Sequence, residues 1–223
     1  MKLIIFDLDQ TLIELFKFQN KAYEIAFKKI FNVKAGLDEI DFAGKTLHRV
    51  FEELALFKGI EKNEVEKKLN TGMKTLENSF VSVLPKNTTP YLLPGAKNLI
   101  LELNKNKNNI LALVTGNSKK MAREILSRAS LLKYFRIIAT GEHEKIRAKL
   151  VRHVLNQIKK KNKIGKIIVV GDSIRDVESG KAVKATTIAV LTGFHSKKQL
   201  KKSGADYILK NLKDKRIIKI ING

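Results

Sequence analysis

Six short runs of predominantly apolar, β-branched sequence, spaced by stretches of helical period, constrain this chain more than any other feature. They are residues 3–6, 110–114, 136–139, 166–170, 187–191 and 207–209. None alternates apolar with polar residues, so both faces of each must be covered, as in a parallel sheet lying between helices. Residues 95–104, 119–129 and 146–160 have helical spacing and sit between the runs; Leu99, Ile100 and Leu103 set the period of the first. Strand then helix, repeated, predicts an α/β fold with a Rossmann-like parallel sheet as its core. At 223 residues and 43% hydrophobic, the chain has enough apolar material for such a core and a smaller appended unit.

Residues 15–90 break the rhythm. Stretches 16–31, 47–57 and 64–80 read as amphipathic helices, the first with Phe16, Gln19/Asn20, Tyr23 and Phe27 at its period, and no strand lies among them. The 3 prolines of the chain, Pro85, Pro90 and Pro94, cluster where this segment ends. The expected organisation is an α/β core of residues 1–14 and 91–223, with residues 15–90 as an inserted all-helical cap.

The chain has no cysteine, which rules out disulfides, a thiol nucleophile and a thiolate metal site. His48, His143, His153 and His195 share no metal-ligand spacing, so a metal here must be a hard cation held by carboxylates. The apolar runs are far shorter than the ~20 residues that span a bilayer. The opening run is cut by Asp7 and Asp9 with no small-residue cleavage site, and a cytoplasmic protein without a membrane partner is expected. Net charge is +22. Residues 15–90 hold 13 Lys and Arg against 10 Asp and Glu, and the rest of the chain 31 against 12, so the excess lies on the core. It is spread over several runs without interleaved aromatics. That favours a solvated basic surface over a nucleic-acid partner, which stays as the alternative from another class.

Four segments end strands with residues that a structural loop does not need, at the edge of the sheet where ligands of α/β folds bind. In Asp7-Leu8-Asp9-Gln10-Thr11, alternate residues project the same way, which puts Asp7 and Asp9 in one pocket. Two close carboxylates suit phosphoryl transfer, one attacking phosphorus and one moving the proton, although D-x-D alone is also turn chemistry. In Thr115-Gly116-Asn117-Ser118, a hydroxyl and free amides at a helix start offer an anion site, with Ser118 or Asn117 also suited to an N-cap. The segment from Gly141 to Arg147 carries bases able to hold a phosphate charge. Gly171-Asp172-Ser173-Ile174-Arg175-Asp176 follows a strongly apolar strand with a carboxylate placed for a hard cation, Asp172 or Ser173 being the alternative reading as a helix cap.

Nucleophile, hydroxyl, cation and metal carboxylate in that chain order resemble the phosphatases of the haloacid dehalogenase superfamily, in the phosphoglycolate-phosphatase-like branch with a helical cap. The resemblance spans roughly residues 1–14 and 91–212. It implies Asp7 as nucleophile and Asp9 as general acid and base. It also implies Mg2+ held by Asp7, the Asp9 backbone carbonyl and Asp172, with Asp176 supporting its water shell. Thr115 and the Gly116 and Asn117 amides would take phosphate oxygens. The implied partner is a small phosphorylated metabolite such as phosphoglycolate, a sugar phosphate or a nucleotide, turned over by a monomer or homodimer.

Two positions depart from the family pattern. Gln10 stands where glycine is commonest, a substitution read as harmless. The third segment lacks the usual lysine–proline pair: Lys145 is followed by Ile146, and ungapped counting selects Lys145 as the cation, ahead of Arg147 and then Lys149. In the cap, Lys45 of Phe42-Ala43-Gly44-Lys45-Thr46 suits an anionic substrate tail, or is a plain surface lysine. A dehalogenase has no use for an acid at Asp9 and is disfavoured. A phosphomutase of the β-phosphoglucomutase kind keeps both aspartates and stays open.

Overall fold

The computed structural model describes residues 1–141, 146–160 and 163–223. The chain starts with β1 (Lys2–Phe6) and then runs through three helices, α1 (Phe16–Phe31), α2 (Leu47–Phe57) and α3 (Lys62–Val83). It continues with α4 (Ala96–Lys105), β2 (Asn109–Val114), α5 (Lys119–Arg128), β3 (Ile137–Ala139), α6 (Arg147–Lys159), β4 (Lys166–Gly171) and α7 (Ile174–Lys181). The last elements are β5 (Thr186–Val190), α8 (Lys197–Lys202), β6 (Tyr207–Leu209) and α9 (Arg216–Asn222). The strands form one parallel sheet in the order β3-β2-β1-β4-β5-β6. The strand order reverses at β1, which sits between β2 and β4, and this switch point opens a crevice at the carboxyl edge.

Both faces of the sheet are covered, as apolar-throughout strands require. Ile4 and Phe6 pack with Leu99 and Ile100 of α4, Met121 and Ile125 of α5 and Ile217 of α9. Leu3 and Ile5, on the opposite face of the same strand, pack with Leu150, Val151 and Val154 of α6. Truncating one such leucine or isoleucine to alanine costs about 2–5 kcal/mol, and the centre of the sheet is therefore the least tolerant part of the chain.

The helices α1, α2 and α3 pack on one another around Phe27, Phe31 and Phe51, whose ring centroids lie 4.8 to 5.8 Å apart. Their buried face joins the core that covers the sheet: Leu12, Leu15, Ala22, Phe27, Phe51 and Leu76 belong to the same cluster as Ile4 and Phe6. Two antiparallel segments form the neck between helices and sheet. Glu14 N–H donates to the Tyr91 carbonyl at 2.9 Å, and Leu93 N–H donates to the Leu12 carbonyl at 2.9 Å. Phe16 and Phe42 stack at 5.6 Å, and Phe194 meets both edge-on at 5.8 and 5.1 Å, tying the helical insertion to the loop after β5.

Candidate active site

The strand tips supply the site. Asp7 follows β1, and Asp172 and Asp176 follow β4 and open α7. These three carboxylates are buried, and one oxygen of each lies within 4.8 Å of the others. Arg147, the first residue of α6, is buried with them. Its Nη2 contacts Asp7 Oδ1, lies 2.6 Å from Asp176 Oδ1 and donates to the Val114 carbonyl at 3.1 Å. Burial alone would lower the Arg147 pKa, but Asp176 and Asp7 outweigh it and hold it up, so the guanidinium stays charged.

The negative charge here exceeds what one guanidinium neutralises. Burial, opposed by Arg147 and reinforced by Asp176 and Asp9, pushes Asp7 up to about 7. Asp172 is pushed well above its ordinary value by burial and then by Asp7 and Asp176. Three buried, mutually repelling carboxylates, with Arg147 the cation that joins them among the described residues, are the donor set of a hard divalent ion, and the residues fit one. Their oxygens differ in availability. Asp176 Oδ2 accepts from the Ser173 N–H at 3.0 Å and hydroxyl at 2.6 Å, and its Oδ1 faces Arg147, so Asp176 supports the group. Asp172 Oδ1 accepts from Thr11 Oγ1 at 3.0 Å. Its other oxygen occupies space that a side chain on Gly193 would fill, a close approach only glycine permits.

Asp9 lies beside this group and not within it: its side chain is absent from the three-carboxylate set. Both its oxygens accept from amides, Oδ1 from Gln19 Nε2 and Oδ2 from Asn117 Nδ2, each at 2.6 Å. Burial pushes Asp9 up to about 6 against these hydrogen bonds and Arg147. A carboxyl titrating near neutrality is suited to giving and taking a proton. Asp7 and Asp9 line one cleft, as expected from their alternation. Gln10, between them and Thr11, adopts φ of 58°, in the left-handed region that glycine enters freely. The strain, about 1–2 kcal/mol, is set against a hydrogen bond from Thr192 Oγ1 to its carbonyl at 2.5 Å.

Thr115 is fully buried, and its Oγ1 accepts from the Asn117 N–H at 3.2 Å. Gly116 and Asn117 line the cleft. Ser118 caps α5, accepting from Met121 N–H. Asn117 therefore contributes a side chain to Asp9, a contact its backbone-amide reading did not include. Lys145 lies outside the described residues. Among the described ones, Arg147 is the cation joined to Asp7 and Asp176, and Lys149 is exposed on α6.

The loop between α1 and α2 is seated on these strand tips. Leu47 N–H donates to the Gly116 carbonyl at 2.7 Å, Arg175 donates to the Ala43 carbonyl, and Arg175 Nη2 lies 3.2 Å from Asp41 Oδ2. A side chain on Gly116 would collide with the Lys45 carbonyl. Lys45 lines the cleft, but its ammonium is 2.5 Å from Glu53 Oε2 and also donates to the Asp41 carbonyl. Gln19 is the site residue that sequence reasoning passed over. Its signal was a polar residue within the buried stripe of Ala22, Tyr23, Ala26 and Phe27.

Among the described residues no helix is long and apolar enough to cross a membrane. The chain is 28% identical over 199 residues to a phosphoglycolate phosphatase of Aquifex aeolicus, a match covering 87% of this chain and 86% of that protein. It is 27% identical over 125 residues to a phosphoglycolate phosphatase of Synechococcus elongatus, covering 55% of this chain and only 57% of the relative's length. The fold superimposes on β-phosphoglucomutase from Clostridium difficile with a TM-score of 0.77 at 16% identity, over 98% of this chain and 96% of that one. The profile of the haloacid dehalogenase-like hydrolases matches residues 4–190, taking in the strand tips that carry Asp7, Thr115, Arg147 and Asp172, and the chain belongs to that family.

Proposed function

We propose that this chain is a Mg2+-dependent phosphatase that hydrolyses a small phosphomonoester through an aspartyl-phosphate on Asp7. The observation that carries the reading is the setting of Asp7: a buried carboxylate joined to Arg147, grouped with Asp172 and Asp176, and opening on the cleft shared with Asp9. The curated relatives, both phosphoglycolate phosphatases, support the reaction class.

In the first step an Asp7 oxygen bonds to phosphorus as the bond from phosphorus to the leaving oxygen breaks, and protonated Asp9 gives its proton to that oxygen. In the second, water attacks phosphorus and gives its proton to Asp9, the bond from Asp7 to phosphorus breaks, and phosphate leaves. Arg147 holds Asp7 oriented and favours its ionised form; Thr115 and the amides of Gly116 and Asn117 receive phosphate oxygens. Mg2+, held by Asp7, the Asp9 carbonyl and Asp172, would neutralise phosphate charge. The helical insertion acts as a cap that excludes water while Asp7 is attacking.

Asp7→Asn is the direct test. It should abolish release of phosphate from an aryl phosphate while leaving the circular dichroism spectrum in place, and EDTA should silence the unmodified enzyme. Comparable turnover by Asp7→Asn would remove the mechanism. Transfer of the phosphoryl group that depends on a sugar bisphosphate would mark a phosphomutase instead.

A further inference from the structure

We infer that the pocket beside Asp9 takes an uncharged, predominantly apolar leaving group and rejects phosphomonoesters whose leaving group carries a second negative charge. The inference rests on the phosphatase reading of the same site and narrows its substrate class. Beyond Asp9 the cleft is walled by Tyr23, Leu37, Phe42, Leu47, Val50 and Met121. All but Phe42 are buried, so the insertion and α5 present a dry apolar surface to whatever is esterified to the phosphate.

The cations on the lining decide the matter. Among the described residues they are Arg147 and Lys45. Arg147 is committed to Asp7 and Asp176. The Lys45 ammonium is committed to Glu53 Oε2 at 2.5 Å, with the Asp41 carboxylate 3.7 Å away, and its side chain is only 8% exposed. The uncharged polar side chains of the lining are Gln10, Gln19, Asn117 and the phenol of Tyr23, and two of the amides already serve Asp9. A second carboxylate or phosphate bound here would lose its water, meet no uncommitted cation among the described lining residues, and lie near the attacking carboxylate of Asp7. A buried charge without a partner is strongly disfavoured, whereas a short alkyl or aryl group gains from the same wall. Glu53 thus acts as a specificity residue from a distance, by pairing with Lys45, the lysine among the described lining residues that would otherwise greet an anion.

The test compares matched pairs on the full chain with Mg2+. kcat/KM for phenyl phosphate or propyl phosphate should exceed that for phosphoglycolate by on the order of a hundredfold or more. Propylphosphonate, which cannot turn over, should bind more tightly than phosphonoacetate by calorimetry. Glu53→Ala, outside the reacting groups, should raise kcat/KM for phosphoglycolate about tenfold or more and leave that for propyl phosphate within about twofold. Equal or reversed preference in both the substrate and the phosphonate pairs would overturn the leaving-group inference and leave the phosphatase intact. Preference for propylphosphonate with no turnover of any monoester would overturn the phosphatase reading, and with it the assignment of this pocket to a leaving group.

Discussion

Gln19 and Asp9 meet at 2.6 Å, amide Nε2 to carboxylate Oδ1, so a helix of the insertion reaches across the neck to hold the acid that follows β1. Asn117, from the tip of β2, holds the other oxygen at the same distance. The carboxylate is therefore fixed by one group from the insertion and one from the sheet, and its aim depends on both being in place.

Gln19→Leu should lower kcat by roughly tenfold to a hundredfold, since a hydrogen bond to a charged group contributes about 1.5–3 kcal/mol. KM should change far less, because the phosphate contacts proposed for Thr115, Gly116 and Asn117 are untouched. Asn117→Ala removes the other side-chain amide from Asp9 but keeps its backbone N–H, so it should also lower kcat with KM little changed. Steady-state kinetics on one aryl phosphate check both; a KM effect alone in Gln19→Leu would mean that Gln19 acts on substrate binding and not on Asp9.

The crowding of Asp7, Asp172 and Asp176 gives a prediction in which the sign changes with the metal. Mg2+ at a hundred times its Kd should stabilise the native chain by about 2.7 kcal/mol, visible as a rise in Tm. Asp172→Asn keeps an oxygen for the Thr11 hydroxyl but removes one of three repelling charges. In EDTA this variant should be the more stable protein, by roughly 1 kcal/mol or more, and Mg2+ should no longer shift its Tm. Paired thermal melts with Mg2+ and with EDTA check both halves.

The sheet was legible because its strands are apolar on both faces, and the helices α1 to α6 because each is long enough to show a period. The helices α8 and α9 span 6 and 7 residues, too short for one, and carry no sequence signal, while the 8-residue α7 shows only through its cap. At the β4 tip the cap falls to Ser173, which closes a capping box with Asp176 and leaves Asp172 facing the carboxylate cluster. The pairing of Lys45 with Glu53 had no sequence signal, since Glu53 is one of several acids in the insertion and only the turn from loop into α2 brings the two together. Ungapped counting selects Lys145, which lies outside the described residues; among the described ones Arg147 is set apart by its place at the first turn of α6, where it pairs with Asp7 and Asp176.

Acid should weaken the far edge of the sheet in a defined way. Asp206 accepts from Thr187 N–H at 2.8 Å and Thr187 Oγ1 at 2.7 Å and pairs with Lys181. Burial pushes its carboxyl up, but Lys181 and Thr187 outweigh this and its pKa is lowered. A depressed carboxylate contributes stability above its unfolded value of about 3.9, and that contribution disappears as the pH falls through the folded value. Because the pair is part-exposed, the contribution should be under about 1 kcal/mol. Urea melts between pH 6 and pH 3 should therefore fall less steeply for Asp206→Asn than for the native chain; parallel curves would exclude the role.

The seat of the insertion on the strand tips is set by Gly116. A methyl there would collide with the Lys45 carbonyl and come within 3.1 Å of the Thr46 Cα, while the Leu47 N–H donates to the Gly116 carbonyl at 2.7 Å. These contacts are backbone, which yields less readily than a side chain, so Gly116→Ala should hold the loop away from the site without disturbing the sheet beneath. Turnover should fall at least about tenfold, because a cleft left open admits water and misplaces Gln19. The loop over residues 41–47 should also become more open to limited proteolysis. Gly165→Ala, where the added methyl meets nothing within 4 Å, is the control and should change neither. Loss of activity in Gly116→Ala with unchanged proteolysis would mean that the glycine serves the phosphate directly, through its amide, and not the docking of the loop.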